Sequence, residues 1–131
     1  MNPSQHEAIE TTVTLMLARD MTGSELVSVF KKAVKSLGLN YIEHVISQTR
    51  VAGDGSFTNV EAHAKSGSKI LALRNSSSPY IAPLNGNTTY KTVNLKYFNY
   101  GCFVSHGQIT QTQFDTIANT LLDASLAGAI S

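Results

Sequence analysis

Apolar and polar residues alternate loosely from 9 to 18, IETTVTLMLA, and the run is rich in β-branched types, so it predicts a strand, which we place at a sheet edge. The period then changes. Thr22 and Glu25 have the spacing of a helix-capping box, and Leu26, Phe30, Val34 and Leu37 recur at helical intervals with Lys31, Lys32 and Lys35 off the apolar stripe. Gly38 stands where this helix must close, because a residue without a Cβ adopts the left-handed backbone of a helix end without strain. Strand composition returns from Tyr41 to Val51, Gly53-Asp54-Gly55 makes a turn, and Phe57 to Lys65 completes a hairpin.

In the second arm of that hairpin Asn59, Glu61, His63 and Lys65 share one parity and Thr58, Val60, Ala62 and Ala64 the other, which predicts a sheet with one wet and one dry face. A third strand runs from Lys69 to Arg74. Two prolines and an Asn-Gly mark 75–88 as a loop. Thr89 to Val104 reads as the longest strand, with Val93, Leu95 and Tyr97 on one face and Thr92, Asn94 and Lys96 on the other. Thr110 and Gln113 then open a helix whose apolar side is Phe114, Ile117, Leu121 and Leu122. The order predicts one α+β domain over 1–131, an antiparallel meander with its helices segregated to one face. Its parts are a strand and helix at 9–38, a sheet at 41–105 and a helical region at 110–131.

Length agrees with a single core, since 131 residues are too few for two. Charged residues are only 15% of the chain, below the roughly 25% of soluble proteins, so serine, threonine and asparagine must supply most of the polar surface. That composition excludes a coiled coil or a charged tail, and it suits a surface buried against copies of itself. No apolar run is long enough for a membrane span, and the N-terminus lacks a signal-peptide pattern, so neither membrane association nor Sec export is expected. A single cysteine, Cys102, rules out an internal disulfide framework and a multi-cysteine zinc site.

The net charge of +1 conceals an asymmetry. Residues 44–109 hold Arg50, Lys65, Lys69, Arg74, Lys91 and Lys96 against Asp54 and Glu61, a balance of +4, whereas 1–43 balance to −1 and 110–131 to −2. The sheet is therefore the basic part, and the helices are expected to make the outside neutral to acidic.

Enzymatic chemistry finds no footing. Cys102 and His106 have no third residue to orient them, and His44 and His63 have no partner at a metal-ligand spacing. Nucleotide-binding, metalloprotease and serine-hydrolase signatures are absent, and Gly53-Asp54-Gly55 has no helix behind it to hold a phosphate. No catalytic residue, metal, cofactor or small-molecule substrate is assigned. The polar sheet face is the better constellation. Arg50, Asn59, His63, Lys65, Thr92, Asn94 and Lys96 are the residue types that contact phosphates and unpaired base edges, and Tyr90 shares the parity of Thr92 as a ring for base stacking.

Ser47 to Lys65, SQTRVAGDGSFTNVEAHAK, resembles the Ser-x-Arg hairpin, small polar turn and aromatic-Thr strand of the coat proteins of single-stranded RNA bacteriophages, the levivirus-like family. Tyr90 to Phe98, YKTVNLKYF, with the helical sequence after it, is similar to that family's last long strand and C-terminal helices. The resemblance covers roughly 41–131 and implies a divergent member, because the family opens on a β-hairpin and this chain on a strand and a capped helix. It implies an intertwined homodimer whose sheets join edge to edge, with each C-terminal helix over its partner's sheet. Dimers then form an icosahedral virion shell in the bacterial host cytoplasm. The inner sheet face binds genomic single-stranded RNA and also an RNA hairpin that represses translation of the replicase. Carried over by position, Arg50 matches the arginine of the first hairpin strand, Asn59, Glu61 and His63 lie on the second, and Thr92 and Asn94 match the last strand. The strand-helix-strand order of 9–51 supports a second reading, a small ferredoxin-like inhibitor or immunity-type binding protein. That reading requires the C-terminal helix to pack on its own chain's sheet.

Overall fold

The computed structural model describes residues 10–47, 56–64, 69–75, 84–99 and 109–129. Arg50, the Gly53-Asp54-Gly55 turn, Lys65, Cys102, His106 and the 100–104 end of the predicted last strand lie outside the described residues. The elements are β1 (Glu10–Thr22), α1 (Gly23–Ser36), β2 (Asn40–Ser47), β3 (Ser56–His63), β4 (Lys69–Asn75), β5 (Leu84–Asn85), β6 (Thr89–Asn99) and α2 (Gln111–Ala129).

Local signals fix the helix ends. Thr22 Oγ1 accepts from the Glu25 N–H at 3.1 Å and Glu25 Oε1 accepts from the Thr22 N–H at 3.0 Å, which satisfies two N–H groups that the first turn of α1 leaves over. The same Thr22 N–H holds the Glu25 carboxyl below its usual range. At the other end Gly38 has φ +76°, and the Gly38 and Leu39 N–H groups turn back to the Lys35 and Val34 carbonyls. Thr110 and Gln113 repeat the reciprocal box at the start of α2, at 3.1 and 2.9 Å.

The sheet order is β1-β6-β4-β3-β2, with every neighbouring pair antiparallel. β2, β3, β4 and β6 form the expected meander, and β1 adds itself beyond β6. β1 and β2 therefore occupy opposite edges, β1 as the sequence implied, and α1 carries the chain across one face from one edge to the other. The segment predicted to be a loop contains β5, which pairs with β3 at Phe57↔Asn85 and Thr58↔Leu84. Leu84 is fully buried, so one apolar residue between turn formers is enough to anchor a two-residue strand.

Leu15, Leu17, Met21, Val93, Leu95, Leu71, Leu73, Val60 and Ala62 from the sheet join Leu26, Phe30 and Val34 of α1 and Phe114, Ile117 and Leu121 of α2 in one core. Both helices thus lie on one face, and the α+β class with segregated helices holds. α2 packs over β1 of its own chain, where the buried Ser125 hydroxyl accepts from the Ala18 N–H at 2.9 Å. The apolar stripe of α2 is consumed there, which differs from the implied placement over a partner's sheet.

Tyr90 requires a correction. Its register partner is the buried Met21, it is only 8% exposed, and its hydroxyl accepts from the Asn85 N–H at 2.9 Å. The pairing of β1 with β6 slips between Met16 and Met21, and burial along β6 changes parity at the same place, with Lys91 exposed and Val93 buried. Tyr90 is consequently a core residue and not a stacking ring on the polar face.

Candidate functional site

Among the described residues, the sheet face opposite the helices is left uncovered by any other element. Register lines its side chains up across the strands. Thr12, Lys96, Ala72, Glu61 and Ile42 form one row, and Thr14, Asn94 and Arg74 lie in the next, with Asn59 opposite His44 on the β3–β2 side. Met16 pairs with Thr92 at the β1 end of the face and is 70% exposed.

Of the expected site residues, Asn59, His63, Thr92, Asn94 and Lys96 share this face; Arg50 and Lys65 lie outside the described residues. Asn59 and Asn94 are each only 9% exposed, because neighbouring side chains lie over them. Thr14 Oγ1 donates to Asn94 Oδ1 at 2.8 Å, tying β1 to β6 on the polar side. Even Ala72 is fully buried there, flanked by Lys96 and Glu61 across the strands and by Arg74 two positions along its own.

Glu61, the residue least suited to a phosphate-binding surface, is matched internally. Asn59 Nδ2 donates to Glu61 Oε2 at 2.9 Å, and His63 Nε2 lies 2.9 Å from Oε1, so with Glu61 ionised Nε2 is the protonated nitrogen. Burial pushes the Glu61 carboxyl up, but the His63 and Asn59 hydrogen bonds, with the fields of His63 and His44, outweigh it and hold the group below its usual range. Asn59 Oδ1 is buried without a hydrogen-bond partner among the described residues.

Arg74 was overlooked as a site residue. Strand parity with Ala72 carried the signal: Arg74 follows two positions later on β4, and its register partner is Asn94. Lys96 and Arg74 stand against Glu61 in these rows, and Glu10 and Asp20 share the parity of Thr12 and Thr14 along β1, so the open face carries charges of both signs. The helical layer lies at the neutral end of its expected range. α1 exposes Lys31, Lys32 and Lys35 beside Glu25, and α2 exposes Asp115 and Asp123, so the layer is neutral as a whole and basic on α1. A cleft of about 300 Å³ beside α1, lined by Ser24, Ser28, Lys31, Glu43 and Thr58, gathers none of the expected site residues.

Chemically, the open face presents amide, hydroxyl, guanidinium and ammonium groups on a rigid sheet. Those groups can contact phosphates and base edges, and among the described residues no nucleophile, base and orienter meet on it. No group of three metal-ligating side chains forms among the described residues, and no described helix is long and apolar enough to cross a membrane. No protein-family model, curated protein or solved structure matches the chain.

Proposed function

We propose that this chain is a structural coat protein of the levivirus-like type, which dimerises, assembles into an icosahedral shell and binds single-stranded RNA on its uncovered sheet face. One observation carries the reading. Both helices lie on one side of the sheet, and the other side displays Lys96, Arg74 and His63 among Thr92, Asn94 and Asn59, with Glu61, the acid in their midst, already hydrogen-bonded. A two-sided slab of this kind has a surface for a polyanion and a separate surface for the exterior. RNA contact through such a face is dominated by phosphate neutralisation and weakens with salt. The low overall charge and the two sheet edges fit a chain that buries its surface against copies of itself. Expression of the chain alone, followed by nuclease treatment and size-exclusion chromatography with electron microscopy, tests it. Particles with protected RNA are expected, and a monomer free of nucleic acid at micromolar concentration would overturn the reading.

The packing of α2 on its own sheet favours a second reading, a small inhibitor or immunity-type binding protein of ferredoxin-like shape. A stable monomer in the same experiment would select it.

A further inference from the structure

We infer that His63 and His44 form a pH gate on the open face, whose protonation between about pH 8 and 5 switches the face from weak to tight binding of single-stranded RNA. The inference rests on the RNA reading of this face and adds its regulation.

Parity and register build the cluster. Asn59, Glu61 and His63 are alternate residues of β3, and His44 of β2 is the register partner of Asn59, so all four stand on the open face. The register partners of Glu61 are Ala72 on β4 and Ile42 on β2, whose side chains offer it neither charge nor hydrogen bond. Glu61 therefore finds its partners along its own strand, Asn59 on one carboxylate oxygen and His63 on the other, each at 2.9 Å. The His63 and Glu61 side chains are only 22% and 15% exposed, so each feels the other's charge with less screening than two solvated groups would.

Few charged groups face this pair. On β2 there is the exposed His44, on β4 Arg74, the register partner of Asn94, and on β6 Lys96, which shares the row of Glu61 beyond Ala72. Glu43 and Tyr41 have the other parity of β2 and belong to the helical side. Guanidinium and ammonium groups keep their charge throughout this range. Glu61 keeps its own as well, because the hydrogen bonds and the fields of His63 and His44 hold its carboxyl below the usual range. What changes on the described β2–β3 side is the histidines. With both neutral, Glu61 leaves that side with a single negative charge; with both protonated, it carries a single positive one.

The two imidazoles contribute differently. His63 already bonds Glu61 when neutral, so its proton cancels the carboxylate that repels a phosphate, without rearranging the pair. His44 adds an exposed cation. By linkage the coupling is reciprocal, and RNA that prefers the protonated face must draw protons onto it.

Filter binding of a radiolabelled uridine oligomer, which does not titrate between pH 7.5 and 5.5, tests the gate. For single strands each phosphate neutralised steepens the salt slope by about 0.7, or about 5-fold in affinity at roughly 0.1 M salt, so two histidines should tighten binding roughly 25-fold between these pH values. His63→Gln, which keeps an N–H for Glu61, and His44→Gln should each remove about 5-fold of that gain, and the double variant should bind equally at both pH values. A parent without pH dependence would overturn the gate. So would a double variant that retains the parent's dependence, through His6, His106 or any other group. Calorimetry of the unmodified protein at pH 6.5, in two buffers of different ionisation enthalpy, supplies a reading independent of the variants' folding: proton uptake on binding is expected, and its absence would overturn the gate. An oligomer that binds at neither pH would instead overturn the RNA reading itself.

Discussion

Leu95 and Lys96 are adjacent in β6 and belong to opposite worlds, which makes them a sharp probe of the face assignment. Leu95 is fully buried between Val13 of β1 and Leu73 of β4, its register partners, beneath the helices. Replacing it with alanine removes apolar surface and leaves a cavity that a sheet tied on both sides cannot close, for a cost of about 3 kcal/mol. A domain of this size has a total stability of roughly 5 to 15 kcal/mol, so the variant should fold with much of its margin gone. With a urea slope of about 1.5 kcal/mol per molar, the unfolding midpoint should fall by roughly 2 M. Lys96→Ala, on the open face, should cost no more than about 0.5 kcal/mol and move the midpoint by a few tenths molar. Both variants must be compared at one protein concentration, because association raises apparent stability by mass action. A Lys96→Ala midpoint as low as that of Leu95→Ala would refute the assignment of faces along β6.

Thr22→Ala removes the acceptor that caps α1 and should lower stability by about 1 kcal/mol in thermal unfolding. Gly23→Ala would push a methyl group into the Asn85 carbonyl, where the backbone of α1 bonds to the turn before β6, and should cost about 1 to 3 kcal/mol by the same measurement. Glu61 is held below its usual carboxyl range when folded, so its charge contributes stability that is complete above that range and is lost as pH falls through it. Urea midpoints from pH 7 to pH 3 should therefore fall less steeply for Glu61→Gln than for the parent. Arg74→Glu changes the open face by two charges, and on the RNA reading it should lower the nucleic-acid content of purified material and its retention at 200 mM salt, read as the 260/280 nm absorbance ratio.

Most of the fold was legible because local chemistry and burial agreed. The capping residues Thr22, Glu25, Thr110 and Gln113 mark both helix starts, Gly38 marks an end, and the parity of 58–64 and of 92–97 sorts residues between the core face and the open face as found, although Asn59 and Asn94 on the open face are nearly buried. What failed depends on partners distant in sequence. Tyr90 has the parity of a polar-face residue, but a slip in a strand some 70 positions earlier turns it inward, and nothing within β6 announces that slip. β5 is two residues long and exists because Phe57 and Thr58 offer an unpaired stretch of β3 beyond the end of β4. For the candidate site, Asn59, His63, Thr92, Asn94 and Lys96 share a face as expected. Arg74 does not stand out because nothing in the sequence of its strand marks a polar side, and the hydrogen bonding of Glu61 depends on the geometry of Asn59 and His63.

The pairing of β1 with β6 imposes an order on folding. Thr14 and Asn94, bonded across these strands, are 80 residues apart in the chain, and Ala18 and Ser125 are 107 apart. β1 leaves the ribosome well before β6 and is thus among the last strands to find its neighbour. At synthesis rates of about 5 to 20 residues per second, it waits roughly 4 to 16 s before β6 emerges. During that delay it is an apolar-faced ribbon with no sheet to join, and closing so long a loop is slow even when the partner has appeared. When many identical chains are made at once, a β1 still waiting on one chain meets finished β6 edges on others, and the same hydrogen bonds can form between molecules as within one. The nascent concentration of chains therefore helps decide whether this strand closes its own sheet or is exchanged.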